Sequence, residues 1–584
     1  MADTLDKQTD VTAGGVKDVK ADTENIVKQQ KTMTPDAVEK NLGEMYRKIK
    51  IHLEPSIPGP DGIRFDFNCG VRVMIPHGAT RNYRVEYWDD ESGQRLFDGI
   101  VKSGDRLQGG KYYFRRYLLK ISDAATGQTL LLHRFNLKGR TVIVHIPVST
   151  IGDTIAWFVP VEEFQRRHEC KVLVCMSRPM RKLFEAEYPA LKFIDEEEML
   201  NYHSYAQYQM GIDLEGKDEL MPYDWRLAPL HWVGSNILGV EPREMENKPP
   251  RIAYDKGKRE VAEPYVCISS MASGGCKLWM NPRGWETVVE FLKQCGYRVL
   301  DIDGQRITGK GITYQRPPCN AEDFTGFGEG KNLQDRAAMI HHADFFIGLG
   351  SGLSWLSWAL HKPTVLISGF SLPYCEFYTP YRVINTNVCH GCFNDPKYVF
   401  DNSECFWCPR HQTDNQHMIC SLTITPEMVI NAILRIPEFQ RHMERVGKVV
   451  QECEHGGKSE GQFYTPTSYP LRFKVAELTK SALVENGNVA GANSEPVTIE
   501  DIKVAPVENA GSVKELDIDK LRDSENAIEV IKAKIASAEG DATYAANPKV
   551  DVRNGKIEIK PGDKGASEAF SALSALISKQ ATSK

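Results

Sequence analysis

The chain of 584 residues lacks any apolar run long enough to cross a bilayer, for which about 20 consecutive apolar residues are needed. Its first forty residues are polar and contain no short apolar block of the secretory type, so no signal peptide is read and a cytoplasmic protein is expected. Charge of one sign is also scarce. A net charge of -6 gives no reason to expect nucleic acid or an anionic membrane as partner. No tryptophan follows Trp407 and no cysteine follows Cys453, so core-forming residues thin out before the last 130 positions. What is present is ordinary for a globular protein, with 41% hydrophobic and 26% charged residues. Fourteen cysteines in a reducing compartment point to metal where they cluster, more than to disulfides.

Along the chain, five segments are expected. Residues 1–35 are rich in Lys, Asp, Thr and Gln and read as disordered. A helix over 37–51 opens a β-rich module spanning 36–140. There Ile63–Phe67 and Tyr83–Tyr87 alternate, and Asp89–Gly93 and Asp123–Gly127 read as hairpin turns, together predicting a small barrel or curled sheet. From Thr141 apolar strands alternate with helical patterns, the mark of a parallel α/β sheet. A Pro- and Lys-rich linker over 241–258 divides this into Rossmann-like units at 141–245 and 246–450, predicted to face a cleft. The tail, 451–584, reads as mostly flexible. Within it a hairpin is predicted over Val550–Ile559 around Asn554-Gly555, and a helical apolar stripe at Phe570, Leu573, Leu576 and Ile577.

Three turns carry candidate chemistry. Phe345–Leu349 is a short apolar run followed by Gly350, Ser351, Gly352 and Leu353, after which the spacing becomes helical. Strand, small-residue turn and helix together place free N–H groups and a positive helix end at one point, which favours phosphate. Close packing of helix on strand explains the same glycines equally well. Strand Val142–Ile146 leads through Ile151-Gly152 to Asp153, which reads locally as a helix N-cap and alternatively as a carboxylate able to take a proton from an acceptor hydroxyl. The loop from Ser269 and Ser270 to Lys277 could offset the charge of a diphosphate, or leave a lysine in solvent. Asp301-Ile302-Asp303 superficially matches a metal-chelating DxD. At a Rossmann strand end, Asp303 is better read as a ribose contact or cap, and no catalytic metal is expected.

Cys389-His-Gly-Cys392 followed by Cys405-Phe-Trp-Cys408 is the most specific signal. Four thiolates suit one tetrahedral zinc or iron, the spacing being compatible with either. Such a closed site leaves no open coordination position, so it is expected to be structural and to clamp a finger over 385–411.

Taken together, Asp335, the string Ala343–Leu360, the Gly152-Asp153 turn and the Lys277-Leu278-Trp279 loop resemble the ADP-heptose site of lipopolysaccharide heptosyltransferases. Gly350 and Trp355 stand where that pattern usually has Asp and His. These departures, the β-rich front module and the four cysteines are similar to a narrower group, the bacterial autotransporter heptosyltransferases. The resemblance covers about Ile63–Arg435. It implies two Rossmann-like domains (GT-B type), and transfer of heptose from ADP-heptose to Ser or Thr hydroxyls of an adhesin. It also implies iron in the finger and a large homo-oligomer. By position it makes Asp153 the base, Lys277 the diphosphate contact beside Ser269 and Ser270, Ser351, Gly352 and Leu353 the diphosphate cradle, and Asp303 a nucleoside contact. The rival readings are a lipopolysaccharide-core heptosyltransferase and a non-catalytic adhesin-binding scaffold.

Overall fold

The computed structural model describes residues 50–213, 219–304, 307–308, 314–315, 320–325, 332–401, 403–452, 473–477, 551–553 and 556–558. Segment 1–35, nearly all of the helix expected over 37–51, and the stripe Phe570–Ile577 lie outside the described residues. The chain divides into two units, 1–487 and 488–584. In the second, Asp551–Arg553 pairs antiparallel with Lys556–Glu558, the hairpin that the Asn-Gly turn predicts.

The first unit opens with β1 (Arg64–Asn68), β2 (Arg72–Met74), β3 (Tyr83–Asp89), β4 (Arg95–Val101), β5 (Arg106–Gln108), β6 (Tyr117–Asp123) and β7 (Thr129–Arg134). Only four of these form a sheet of their own, an open antiparallel one in the order β4-β3-β6-β7. Tyr83, Val85 and Tyr87 alternate inward along β3, as the period-two pattern requires. The expected barrel is therefore corrected: β1, β2 and β5 leave the module and extend the neighbouring parallel sheet. The reason lies in β1, whose Phe65 and Phe67 and intervening Asp66 are all buried, so that it needs cover on both faces and partners on both edges. Arg72 and Asp66 form a fully buried ion pair at 2.6 Å that ties β2 to β1.

That parallel sheet is built on β8 (Thr141–His145), β9 (Lys171–Cys175), β10 (Lys192–Ile194) and β11 (Ala206–Gln209), in the order β10-β9-β8-β11-β1-β2-β5. Helices α1 (Ile151–Phe158), α2 (Val161–His168) and α3 (Leu230–Leu238) belong to it. Gly239, at φ 65°, ends α3 in the left-handed conformation that suits glycine. The second α/β body uses β12 (Tyr265–Ile268), β13 (Arg298–Asp301), β14 (Glu322–Asp323), β15 (Phe346–Leu349), β16 (Thr364–Ile367) and β17 (Arg382–Val383). Their order is β14-β13-β12-β15-β16-β17, all parallel. Its helices are α4 (Gly284–Gln294), α5 (Leu333–His342), α6 (Gly352–Ala359), α7 (Pro426–Leu434) and α8 (Pro437–Val446).

Strand β12 shows how the two bodies join. Val266 and Ile268 face a core shared with α4, α7 and α8, whereas Tyr265 and Cys267 face a core that runs on into the first sheet. Ordered structure also continues past residue 450: Phe473–Glu477 pairs with Lys448–Glu452 and packs Phe473 and Val475 on the second core.

Candidate functional site

Two strand-to-helix turns meet where the sheets approach each other. One follows β8 and begins α1; the other follows β15 and begins α6. A Cβ placed on Gly352 would lie 2.7 Å from Ile151 Cβ, and one on Gly152 would lie 2.8 Å from the Trp355 ring. Only glycine at both positions allows this approach, and it brings the starts of the two helices together. Asp153 lies in the first turn of α1. Thr150 holds the N-cap position, so Asp153 is not the cap; instead its carboxylate accepts from Thr150 Oγ1 at 2.6 Å. The side chain is half-buried at the edge of the sheet.

On the other side, Ser351 is the N-cap of α6 and makes no side-chain cap bond, leaving backbone N–H groups of the first turn to a ligand. Ser354 Oγ donates to Leu349 O at 2.6 Å, which fixes the turn to the strand. Leu353 is buried in the shared core, so its contribution to a ligand is confined to its backbone. Gly350 contributes no side chain, but its space is filled: a Cβ there would lie 2.5 Å from Glu376 Oε1. Glu376 is buried, accepts from Ser371 Oγ, and pairs with Arg382 at 3.0 Å. Sequence reading missed Glu376, although the departure from Asp at position 350 was a signal that a carboxylate could come from elsewhere.

Lys277 ends a short 3-10 turn, Gly275–Lys277, with its ammonium 5.8 Å from the Phe370 ring centre. Among the described residues it has no carboxylate partner within 4 Å. Ser269, Ser270 and Asp303, by contrast, are occupied with one another. Ser269 Oγ donates to Asp303 Oδ1 at 2.5 Å, and Ser270 N and Oγ donate to Oδ2 at 2.9 and 3.1 Å. All three are buried, and Arg336 donates to the carbonyls of Ile302 and Asp303 at 2.9 and 3.3 Å. The trio shapes the loop that leads to Lys277.

The four thiols read as one finger are not all together. Among the described residues, no three His, Cys, Asp or Glu side chains are placed to hold a metal. Cys405 turns toward the Lys277 loop: its sulfur is 2.9 Å from where a Gly275 Cβ would be, and its carbonyl accepts from Cys276 N at 2.9 Å. Cys420 lies within electrostatic reach of Cys389, Cys392 and Cys408. Burial, then the charges of Cys389, Cys392 and Cys408, push it up to about 12. Cys392 is likewise pushed up to about 11, chiefly by burial, with Arg410 opposing. Cys408 Sγ accepts from Met418 N at 3.4 Å. The two-knuckle spacing pointed to Cys405, which here lies against the Lys277 loop.

Residues 59–124 match the family model "Glycosyltransferase TibC, N-terminal domain", and 238–403 match "Glycosyltransferase family 9 (heptosyltransferase)". The chain is 38% identical over 394 residues to the autotransporter heptosyltransferase Aah of Escherichia coli, covering 67% of this chain and 97% of that one. It is 32% identical over 384 residues to the inactive autotransporter heptosyltransferase BimC of Burkholderia thailandensis, covering 66% and 88%. Among solved structures, the iron-containing dodecameric glycosyltransferase TibC of enterotoxigenic E. coli superposes with a TM-score of 0.62 at 37% identity, over 67% of this chain and 98% of that one. TibC has also been solved with ADP-D-beta-D-heptose, at the same TM-score and 36% identity. With an α/β glycosyltransferase fold, a β-rich front module and relatives matched over nearly their whole length, this chain belongs to the autotransporter heptosyltransferase family.

Proposed function

We propose that the chain moves heptose from ADP-heptose to Ser or Thr hydroxyls of an autotransporter adhesin, in the cytoplasm and as a homo-oligomer. In this reading two Rossmann-like domains, 141–245 and 246–450, face a cleft of the GT-B type. The observation that carries it is the contact of Gly352 with Ile151, which sets a carboxylate-bearing turn against an uncapped helix start. The relatives support the donor, since TibC was solved with ADP-D-beta-D-heptose. Among the described residues no helix is long and apolar enough to cross a membrane.

The chemistry assigned to each group follows from charge. Asp153 takes the proton of the acceptor hydroxyl as its oxygen bonds to the anomeric carbon of heptose. The bond from that carbon to the diphosphate oxygen breaks, and ADP leaves with the electron pair. Lys277, the Ser351 hydroxyl and the N–H groups of Gly352 and Leu353 balance the charge that develops on the diphosphate. Ser269, Ser270 and Asp303 position the Lys277 loop. Glu376 sits where the wider pattern has the side chain of residue 350 and supplies a hydrogen-bond acceptor beside the turn.

For a structural iron, as in the TibC structure described as iron-containing, the ligand set would be Cys389, Cys392, Cys408 and Cys420, whose side chains would have to draw together from their present positions, with Cys405 left to the Lys277 loop. Four thiolates close the coordination sphere, so the ion supports the fold and no step passes through it.

Asp153→Asn tests the base. It should leave the thermal unfolding midpoint intact while slowing heptose transfer roughly a hundred- to ten-thousandfold, the usual contribution of a general base. Intact-mass measurement of a co-expressed adhesin fragment reads the transfer, and undiminished addition of heptose to that fragment removes Asp153 from the mechanism.

A further inference from the structure

Lys277 is the cation assigned above to the leaving diphosphate, and the group behind it decides how much charge it can deliver. Among the described residues no carboxylate pairs with it. Its ammonium stands instead over the ring of Phe370, 5.8 Å from the ring centre. That lies inside the ~6 Å within which a ring face attracts a cation. The two kinds of partner differ in their consequence. A carboxylate would cancel the charge of the lysine, whereas a ring carries no net charge and offers only a negative face. An ammonium also has three donors, so it can rest on a ring at one side and meet phosphate oxygens at the other.

Phe370 is held firmly enough to serve as such a floor. It follows β16 by three residues, at the same edge of the second sheet as the turn that begins α6, and is only 7% exposed. Its carbonyl accepts from Phe393 N at 3.1 Å, and the carbonyl of Gly369 accepts from Gly391 N at 2.9 Å. Around its ring stand Phe393, Phe400 and Trp407, with centres 4.9, 5.5 and 6.0 Å away, the last two edge-on. All three belong to the stretch 385–411, which thereby sets the orientation of the ring under Lys277.

We propose that Phe370 is a positioning residue for the transfer reaction, its ring face holding the Lys277 ammonium toward the diphosphate without neutralising it. The inference rests on the reading of Lys277 as the diphosphate contact and adds the group that orients it. It also gives the aromatic side chains of 385–411 a task beyond packing, since they keep that ring still.

The test changes the charge distribution of the ring and keeps its shape. In the full chain Phe370 is replaced by mono-, di- and trifluorinated phenylalanine, which progressively weaken the negative face. ADP affinity, read by titration calorimetry, should fall stepwise by roughly two- to thirtyfold across the series, the span of a cation–ring attraction. The thermal unfolding midpoint should stay constant along it. Lys277→Met should bind ADP more weakly, and in that background the series should change the affinity no further. An affinity that ignores the series, rises along it, or falls equally in Lys277→Met overturns the proposal, the last result leaving the ring a packing role alone. Heptose addition to a co-expressed adhesin fragment separates this outcome from the wider reading. If the unsubstituted chain adds heptose while ADP affinity ignores the series, the role of Phe370 falls and the heptosyltransferase reading stands. If affinity follows the series in a chain that adds no heptose, the reverse holds.

Discussion

Glycine is the residue type on which the site depends, because the site is made by two turns that nearly touch. Alanine at position 352 would put a methyl group 2.7 Å from Ile151 Cβ, closer than real carbon contacts allow. The neighbour is a β-branched residue at the start of α1, so relief requires moving the helix and not only a side chain. Gly352→Ala should therefore cost about 1–3 kcal/mol of stability, the usual range for overpacking a close contact. Because α1 carries Asp153, the same variant should also lower the rate of transfer. Urea unfolding reads the first effect and a donor-transfer assay the second. A variant that unfolds earlier yet transfers at the full rate would separate the packing of these turns from catalysis. Position 350 differs: there the obstructing atom is Oε1 of Glu376, tied to Arg382 and Ser371. The glycines themselves were legible as a turn in the sequence. Glu376 was not, because no local pattern connects it to a residue 26 positions away.

At the level of elements, the stretch 385–411 works as a brace between the two bodies. Phe393 packs at a tilt against Trp225 with ring centres 5.0 Å apart, and Arg226 donates to Pro396 O at 3.2 Å. At its other end, Cys405 O accepts from Cys276 N, which places the strap directly on the loop of Lys277. On the proposed reading, loss of the iron should thus loosen both contacts at once. Cys389→Ser and Cys420→Ser are each expected to lose the ion and to open residues 385–411 to proteolysis. Both should raise the KM for ADP-heptose through Lys277. Cys405→Ser is expected to retain the ion. Metal content by mass spectrometry checks the pair directly, and metal loss in Cys405→Ser with retention in Cys420→Ser would reverse the ligand assignment. Spacing announced a metal here because CxxC is a local signature. Which sulfur would complete the set depends on how the chain folds back after Cys408, which spacing does not encode. The same limit explains the front module: alternation in Ile63–Phe67 identified a strand but not its neighbours, and burial on both faces drew β1 into the parallel sheet.

Across the whole molecule, the βα alternation after Thr141 is the feature that sequence conveys best, since each buried strand reads as a continuous Val- and Ile-rich run. What it does not convey is that the two sheets share a core, because Tyr265 and Cys267 look like any strand residues until their partners are known. Continuous packing of this kind carries a pH dependence. His145 and His231 are 3% and 5% exposed, and burial is the chief cause that pushes each down to about 4 from an ordinary value of 6.5. Between those values the unfolded chain binds protons that the folded chain refuses, so stability is fully present above about pH 6.5 and is lost as pH falls toward 4. A shift of that size corresponds to roughly 3 kcal/mol for each imidazole as an upper figure, at 1.36 kcal/mol per pKa unit. Carboxylates act in a lower window. Glu163, held down to about 2 by its bonds to Arg166 and Arg167, loses its contribution only below about pH 4.5. The interval from 6.5 to 4.5 therefore isolates the histidines. Urea midpoints at pH 7, 5.5 and 4.5 should fall steeply in the unsubstituted chain and less steeply in His231→Gln, which retains a polar group of similar size but takes up no proton. An unchanged slope in that variant would place the acid sensitivity elsewhere than in the core that joins the two sheets.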